Sequence, residues 1–258
     1  MRIDTAMLLA AGLGTRMRPL TEKTPKPLVR ACGKALIDYA LERLRAHGAR
    51  RAVVNVHWLA EQMEAWARAQ TPPPEIVISD ERQQLLETGG GIRHALPLLG
   101  TEAPFFVINT DSIWLDMPGA APVLRRLQEA WDDARMDALL LLASPERSTG
   151  YHGRGDFIPR ADGRLARRTA AGEESNEESA ASHAPALPFT GIYVVHPRLF
   201  EAAPDAPAFS MNVLFDAALA QGRLFGIEHA GWWLHVGDPE AIGAAEAVLR
   251  REQRCSEC

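Results

Sequence analysis

Along the first 143 residues of this chain, continuous apolar runs alternate with segments in which apolar residues recur at helical spacing. Short apolar runs without polar alternation are typical of strands buried on both faces of a sheet. The strands predicted in this way occupy residues 3–10, 51–56, 76–78, 105–111 and 138–143. Apolar residues at helical spacing lie between them, at 36–47, 59–69 and 123–131. This alternation predicts an α/β fold, with a mostly parallel sheet and helices on both of its faces.

The pattern changes after residue 144. Antiparallel strands are predicted at 156–158, 164–168 and 189–195, and later strands at 224–228 and 232–236. Helices are predicted at 211–221 and at 239–251, and in the second of these Ile242, Ala245 and Leu249 would face inward. The polar residues 170–186 indicate a surface loop. Because no internal repeat or linker divides the sequence, we expect a single domain over residues 1–258.

Composition argues against several classes of function. The 258 residues carry a formal net charge of −5, whereas general nucleic-acid binders are usually basic. No apolar run reaches the length of about 18 residues that a membrane span needs. Three cysteines do not suggest a disulfide framework. We therefore expect a cytoplasmic protein, a monomer or small homo-oligomer, without nucleic-acid or membrane partners.

A glycine-rich segment follows the first predicted strand. Gly12 and Gly14 let the backbone turn and expose consecutive N–H groups, which suits phosphate oxygens, and Arg16 and Lys26 add cations nearby. The segment is not a P-loop, because Arg16 stands where that motif requires Ser or Thr after Gly-Lys. It is not a dinucleotide fingerprint either, because Met17 occupies the position of the third glycine.

Residues 9–21 (Leu-Ala-Ala-Gly-Leu-Gly-Thr-Arg-Met-Arg-Pro-Leu-Thr), with Pro-Lys-Pro-Leu at 25–28, resemble the signature of the sugar-1-phosphate nucleotidyltransferases. The resemblance covers nearly the whole chain. It implies a Rossmann-like, GT-A-like fold of the nucleotide-diphospho-sugar transferases. Within it the nucleotide-binding part would span about 1–143, a small antiparallel sugar-binding part about 144–236, and the last helix 239–251.

The implied reaction is nucleotidyl transfer. An oxygen of a sugar 1-phosphate attacks the α-phosphorus of a nucleoside triphosphate, and pyrophosphate leaves. Because two anions must meet, the site needs fixed positive charge and a metal, and the resemblance implies Mg²⁺. The backbone of Ala11, Gly12, Gly14 and Thr15 is expected to cradle the triphosphate. Arg16 would stabilise the leaving pyrophosphate, and Lys26 would lie between the α-phosphate and the sugar phosphate.

Asp111 ends a nearly uninterrupted apolar strand, and the resemblance implies that it is a metal ligand. The second ligand is open. Relatives usually carry an aspartate at the position of His235, and imidazole is a poorer Mg²⁺ ligand than a carboxylate. Three alternatives remain: His235 binds the metal or its water, Asp238 supplies the charge, or Asp111 acts alone. Asp238 is equally well explained as the cap of the helix that begins at residue 239.

The remaining candidates are assigned to the base and the sugar. The resemblance implies that Glu87, Gly89 and Gly90 meet the base and ribose, with a tight helix start as the alternative. Asn55, at the end of the second predicted strand, is a candidate for a ligand contact or a helix cap. Segments similar to those of the family's sugar pocket contain Asn109, Gly155, Asp156, Thr190 and Gly191. A turn and a core strand are the alternatives for the last four.

The compact length and residues 86–91 (Leu-Glu-Thr-Gly-Gly-Gly) are most similar to family members that join UTP to N-acetylmuramate 1-phosphate in cell-wall recycling. The first alternative is guanylyl transfer to mannose 1-phosphate. An alternative of another class is a non-catalytic nucleotide-sugar sensor or regulatory subunit, which the histidine at position 235 motivates.

Overall fold

A computed structural model of the chain describes residues 1–100, 102–168 and 185–256. Its helices are α1 (Leu36–His47), α2 (Ala60–Arg68), α3 (Glu87–Leu99), α4 (Val123–Ala130), α5 (Met211–Ala220) and α6 (Pro239–Ser256). Its strands are β1 (Thr5–Leu9), β2 (Arg30–Ala31), β3 (Lys34–Ala35), β4 (Arg51–Val56), β5 (Glu75–Asp80), β6 (Phe105–Asn109), β7 (Ser112–Leu115), β8 (Ala138–Ala143), β9 (Ser148–Thr149), β10 (Phe157–Pro159), β11 (Leu165–Arg167), β12 (Phe189–Val195), β13 (Leu224–His229) and β14 (Trp232–His235).

A seven-stranded sheet forms the centre, in the order β13-β8-β12-β6-β1-β4-β5. Neighbouring strands run parallel except at β12, which is antiparallel to both β6 and β8. The predicted fold class, a mostly parallel sheet flanked by helices, is confirmed. Since β1, β4 and β6 lie side by side and run the same way, their carboxyl ends meet at one edge of the sheet.

The side chains of the central strands point alternately to the two faces of the sheet, where they pack into two separate apolar cores. Phe106 and Ile108 of β6 pack on the side of α1, α2 and α4. Phe105 and Val107 pack on the side of α3 and α5. All four side chains are 0% exposed, which explains why the sequence of β6 lacks polar alternation.

The position of β12 differs from the sequence-based expectation. Its antiparallel direction is as predicted, but it lies inside the central sheet rather than in a separate sugar-binding part. The physical reason is that β12 is apolar on both faces. Ile192 and Val194 contribute to one core, and Tyr193 and Val195 contribute to the other.

A smaller sheet, in the order β7-β14-β9, lies beside the central one. β7 follows β6 after a turn at Asp111, and β14 pairs with β7 so that His235 lies opposite Ser112. α6 covers this sheet. Ala245 and Leu249 are buried in a third core with Leu234, and Ile242 packs against it, as the helical spacing predicted.

One predicted feature lies largely outside the described residues. The polar loop predicted at 170–186 is described only at residues 185–186. No helix within the described ranges is long and apolar enough to cross a membrane.

Candidate active site

A cavity of about 460 Å³ opens at the carboxyl ends of β1, β4 and β6. Most of the residues predicted from the glycine-rich segment and the strand ends line it. These are Ala11, Gly12, Gly14, Thr15, Arg16, Lys26, Glu87, Asn109 and Asp111. The topology brings them together because the loops that follow parallel strands gather at one sheet edge.

The glycine-rich loop is held in a fixed shape. Gly14 has a φ of +62°, a left-handed conformation in which a side chain is strained. Its carbonyl accepts bonds from the Thr21 hydroxyl at 2.7 Å and from the Met17 N–H at 2.9 Å. Met17 is fully buried and anchors the following turn. Gly12, in contrast, has open space where a Cβ would lie, so the cavity is accessible beside it.

Lys26 and Asp111 form an ion pair inside the cavity. The Lys26 Nζ donates to Asp111 Oδ2 at 2.6 Å, and the two side chains are 14% and 17% exposed. Pro25 and Pro27 flank the lysine and restrict its backbone. Burial works against the charged form of Asp111, but the charge and the hydrogen bond of Lys26 outweigh it, and the pKa of Asp111 is lowered. The Asp111 carboxylate is therefore charged at neutral pH and lies paired with the Lys26 side chain.

His235 lies at the end of β14, beside this pair. Burial lowers its pKa, with the Lys26 and Arg16 cations acting in the same direction against Asp111, so the imidazole is neutral at pH 7. Its ring lies 5.6 Å from that of Trp233. A neutral imidazole adds no charge to the cavity but has a lone pair for a metal or for a bound water.

Asp238 acts as a helix cap. Its Oδ1 accepts the Ala241 N–H at 2.9 Å and satisfies one of the free donors at the start of α6. This is the alternative that the sequence had left open for Asp238.

The side chains of the cavity can hold a metal ion only if phosphate oxygens of a bound nucleotide supply further ligands. Within the ranges that the structure describes, no three His, Cys, Asp or Glu side chains are grouped to hold an ion. Mg²⁺ commonly uses one or two carboxylates together with phosphate oxygens and water. Asp111 meets that requirement for a nucleotide-bound ion and does not form a complete cage for a free one.

The structure gives Gly89 and Gly90 a different role from the predicted contact with the base. Their N–H groups donate to the Phe209 carbonyl, at 2.9 and 3.1 Å. A Cβ on Gly89 would lie 2.4 Å from the Phe209 ring, and one on Gly90 would lie 2.2 Å from the Pro207 carbonyl. Both glycines are buried. They allow the chain before α5 to pack against α3, and Glu87 and Thr88 line the cavity instead.

We expect Gly90→Ala to destabilise the fold by about 1–3 kcal/mol, because the new methyl group meets a backbone oxygen that cannot rotate away. Urea unfolding measures the change. Gly243→Ala on exposed α6 is the control, since nothing lies within 4 Å of its Cβ position and alanine there favours the helix by up to about 1 kcal/mol. Equal unfolding free energies of Gly90→Ala and the wild type would contradict the packing role.

Of the predicted sugar-binding residues, only Asn109 lines the cavity. Gly191 gives it room, because a Cβ there would lie 2.4 Å from the Asn109 amide nitrogen. Thr190 is 1% exposed and its hydroxyl donates to the Leu141 carbonyl. Asp156 accepts the Phe189 N–H and the Tyr151 hydroxyl.

Gly155 is left-handed and packs tightly, with a Cβ position 2.2 Å from the Ala186 carbonyl. In this structure Gly155, Asp156 and Thr190 therefore brace the β10 and β12 region, as a turn and a core strand would. None of these three residues lines the cavity in which the sugar was predicted to bind.

Thr110 and Ser210 are among the cavity residues that sequence reasoning missed. The Thr110 hydroxyl donates to the Leu9 carbonyl at 2.8 Å and ties β6 to β1 at the rim. Ser210 caps α5 by accepting the Asn212 N–H. A serine directly before a helical pattern was the available signal, but it predicts a cap and not which cavity the cap would face.

Comparisons with known proteins identify the family that this sequence matches. The family described as nucleotidyl transferase matches residues 5–252. An N-acetylmuramate alpha-1-phosphate uridylyltransferase from Caulobacter vibrioides is 51% identical over 247 residues, which cover 95% of this chain and 96% of that protein. A protein of the same name from Neisseria meningitidis serogroup B is 33% identical, with 94% and 97% covered.

A solved structure, HddC from Yersinia pseudotuberculosis complexed with GMP-PN, superposes with a TM-score of 0.72. It covers 96% of this chain and 100% of its own, at 20% sequence identity, so the likeness concerns the fold alone.

Proposed function

The chain belongs to the nucleotidyl transferase family, and on that premise we propose that it transfers the uridylyl group of UTP to N-acetylmuramate 1-phosphate. It is a nucleotidyltransferase. The observation that carries the choice of substrates is the 51% identity to the Caulobacter uridylyltransferase along nearly the full length of both chains. The products are the UDP-linked sugar and pyrophosphate.

The proposed mechanism assigns each side of the cavity to one reactant. The N–H groups of the loop from Ala11 to Thr15 bind the triphosphate, and Arg16 stabilises the charge that develops on the leaving pyrophosphate. Lys26 holds the α-phosphate and the attacking sugar phosphate together, so that two anions approach each other beside a fixed cation. Glu87 and Thr88 lie on the side where the nucleoside would bind.

Mg²⁺ is part of the proposal. Asp111 would hold it together with phosphate oxygens, with His235 beside it as a neutral ligand or as a partner of a bound water. When bound, the ion neutralises phosphate charge and polarises the P–O bonds.

Pyrophosphate release across a substrate grid tests the proposal. UTP, GTP, CTP, dTTP and ATP are each combined with N-acetylmuramate, N-acetylglucosamine, mannose and glucose 1-phosphates, with and without Mg²⁺. We expect the highest kcat/KM for UTP with N-acetylmuramate 1-phosphate, and none without the metal. A preference for GTP with mannose 1-phosphate, or no turnover in the whole grid, would overturn the proposed substrates.

A further inference from the structure

A buried chain of hydrogen bonds joins two walls of the cavity. The Ala10 N–H donates to Asn55 Oδ1 at 2.7 Å, and Asn55 Nδ2 donates to Glu81 Oε1 at 2.7 Å. The Leu86 N–H approaches Glu81 Oε2 at 3.4 Å. Asn55 and Glu81 are each 3% exposed. Ala10 belongs to the wall formed by the glycine-rich segment, whereas Leu86 belongs to the opposite wall, between the lining residues Leu85 and Glu87.

The two ends of this chain determine the direction of every bond in it. Ala10 N–H is a backbone donor, so the Asn55 oxygen must face it and the Asn55 amino group must face Glu81. Leu86 N–H is also a backbone donor. Position 81 therefore needs an acceptor at both of its oxygens. An ionised carboxylate supplies both, whereas glutamine would turn its NH₂ group toward a donor, and a protonated glutamate would have a hydroxyl in place of one full acceptor.

The surrounding structure is built to accommodate that carboxylate. A Cβ on Gly91 of α3 would lie 2.6 Å from Glu81 Oε1 and 3.0 Å from Asn55 Nδ2, so glycine leaves the space they use. The backbone of Glu81 is also fixed. Its N–H donates to the Val56 carbonyl at 2.8 Å, and its own carbonyl lies 2.7 Å from His57 Nδ1.

We propose that Glu81 is a positioning residue for the nucleoside triphosphate, acting through Asn55 and Leu86 to set the spacing of the two cavity walls. The side chain is buried and need not touch the ligand. This inference rests on the proposed function, because it assigns the walls to the nucleotide. It predicts that loss of the carboxylate weakens the binding of the nucleotide more than it weakens the binding of the sugar phosphate.

The ionisation of Glu81 adds a pH dependence. Burial raises the pKa of Glu81 above its ordinary value, against the hydrogen bonds from Asn55 and Leu86 and the nearby His94 of α3 and His57 after β4. As the pH falls through this raised pKa, the carboxylate gains a proton and loses one of its two acceptor oxygens. Nucleotide affinity should then fall in the wild type.

Glu81→Gln tests the inference by calorimetric titration with UTP and Mg²⁺ and by steady-state kinetics. We expect the Kd and the KM for UTP to rise about tenfold, the scale of one buried hydrogen bond to a charged acceptor. The kcat and the KM for the sugar phosphate should change less than about threefold. The fall in UTP affinity at low pH, which the wild type should show, should be absent from this variant. The titration of UTP itself affects both proteins equally, so it cancels when the Kd of the variant is divided by that of the wild type at each pH.

Two further variants complete the test. Ser79→Ala is the matched control, because Ser79 is buried near the end of β5, two residues before Glu81, and its hydroxyl has no partner among the residues described. It should leave the UTP affinity unchanged. Glu81→Asp keeps a carboxylate on a shorter side chain and should retain the pH step that Glu81→Gln loses.

A folded Glu81→Gln variant with the UTP affinity and pH profile of the wild type would overturn the inference. So would an equal rise in KM for both substrates, or a Glu81→Asp variant without the pH step. A wild type that binds no UTP would instead overturn the proposed function, so the two failures are distinguishable.

Discussion

Asp111→Asn should lower kcat/KM by about 10²–10³-fold, since it removes the carboxylate that is proposed to share a metal ion with the nucleotide. The amide has nearly the same shape as the carboxylate, so the turn between β6 and β7 is kept. The measurement is pyrophosphate release with saturating Mg²⁺. Electron paramagnetic resonance of Mn²⁺ gives a second readout, and the ion should bind the enzyme–UTP complex more weakly in the variant.

Asp116→Asn is a closely matched control. Asp116 is also 17% exposed and also pairs with a cation, Arg43, at 3.4 Å, but it caps the start of α4 outside the cavity. It should lose some stability and keep its turnover per folded molecule. Turnover of Asp111→Asn within threefold of the wild type, on the order of 0.7 kcal/mol in the barrier, would refute the metal role.

The edge of the sheet where the cavity lies could be predicted from the sequence. Uninterrupted apolar runs identify β1, β4 and β6 as buried parallel strands, and the residues that follow such strands gather at one edge. For that reason the sequence alone predicts that Gly12, Gly14 and Asp111 lie close together at that edge. The spacing of Ile242, Ala245 and Leu249 likewise predicted the inner face of α6.

Other features depend on partners far along the chain. An apolar strand reveals that it is buried but not which strands flank it, so the insertion of β12 between β6 and β8 could not be predicted. Gly89 and Gly90 look the same in sequence whether they face a ligand or a packed segment, and here the segment ending at Phe209 takes their N–H groups. Glu81 shows the same limit, because nothing local indicates that its side chain meets Asn55.

Lys26→Met should have opposite effects on catalysis and on metal binding, because its ammonium pairs with Asp111 at 2.6 Å. With both substrates bound, the lost cation leaves the meeting of two phosphates unassisted, and kcat should fall by about 10²–10³-fold. Without nucleotide, the same loss frees Asp111 from its partner. The free enzyme should then bind Mn²⁺ more tightly than the wild type does, since lysine no longer competes for the carboxylate.

Lys34→Met removes an ammonium from an equally short pair, with Glu42 at 2.7 Å, but on the exposed side of β3. Surface pairs of this kind contribute only about 0–1 kcal/mol, so activity and Mn²⁺ affinity should both stay at the wild-type level. Two effects of opposite sign in Lys26→Met cannot arise from partial unfolding, which would weaken both. A fall in kcat together with unchanged Mn²⁺ affinity would mean that the pair with Asp111 does not hold back the metal, and that lysine acts on the phosphates alone.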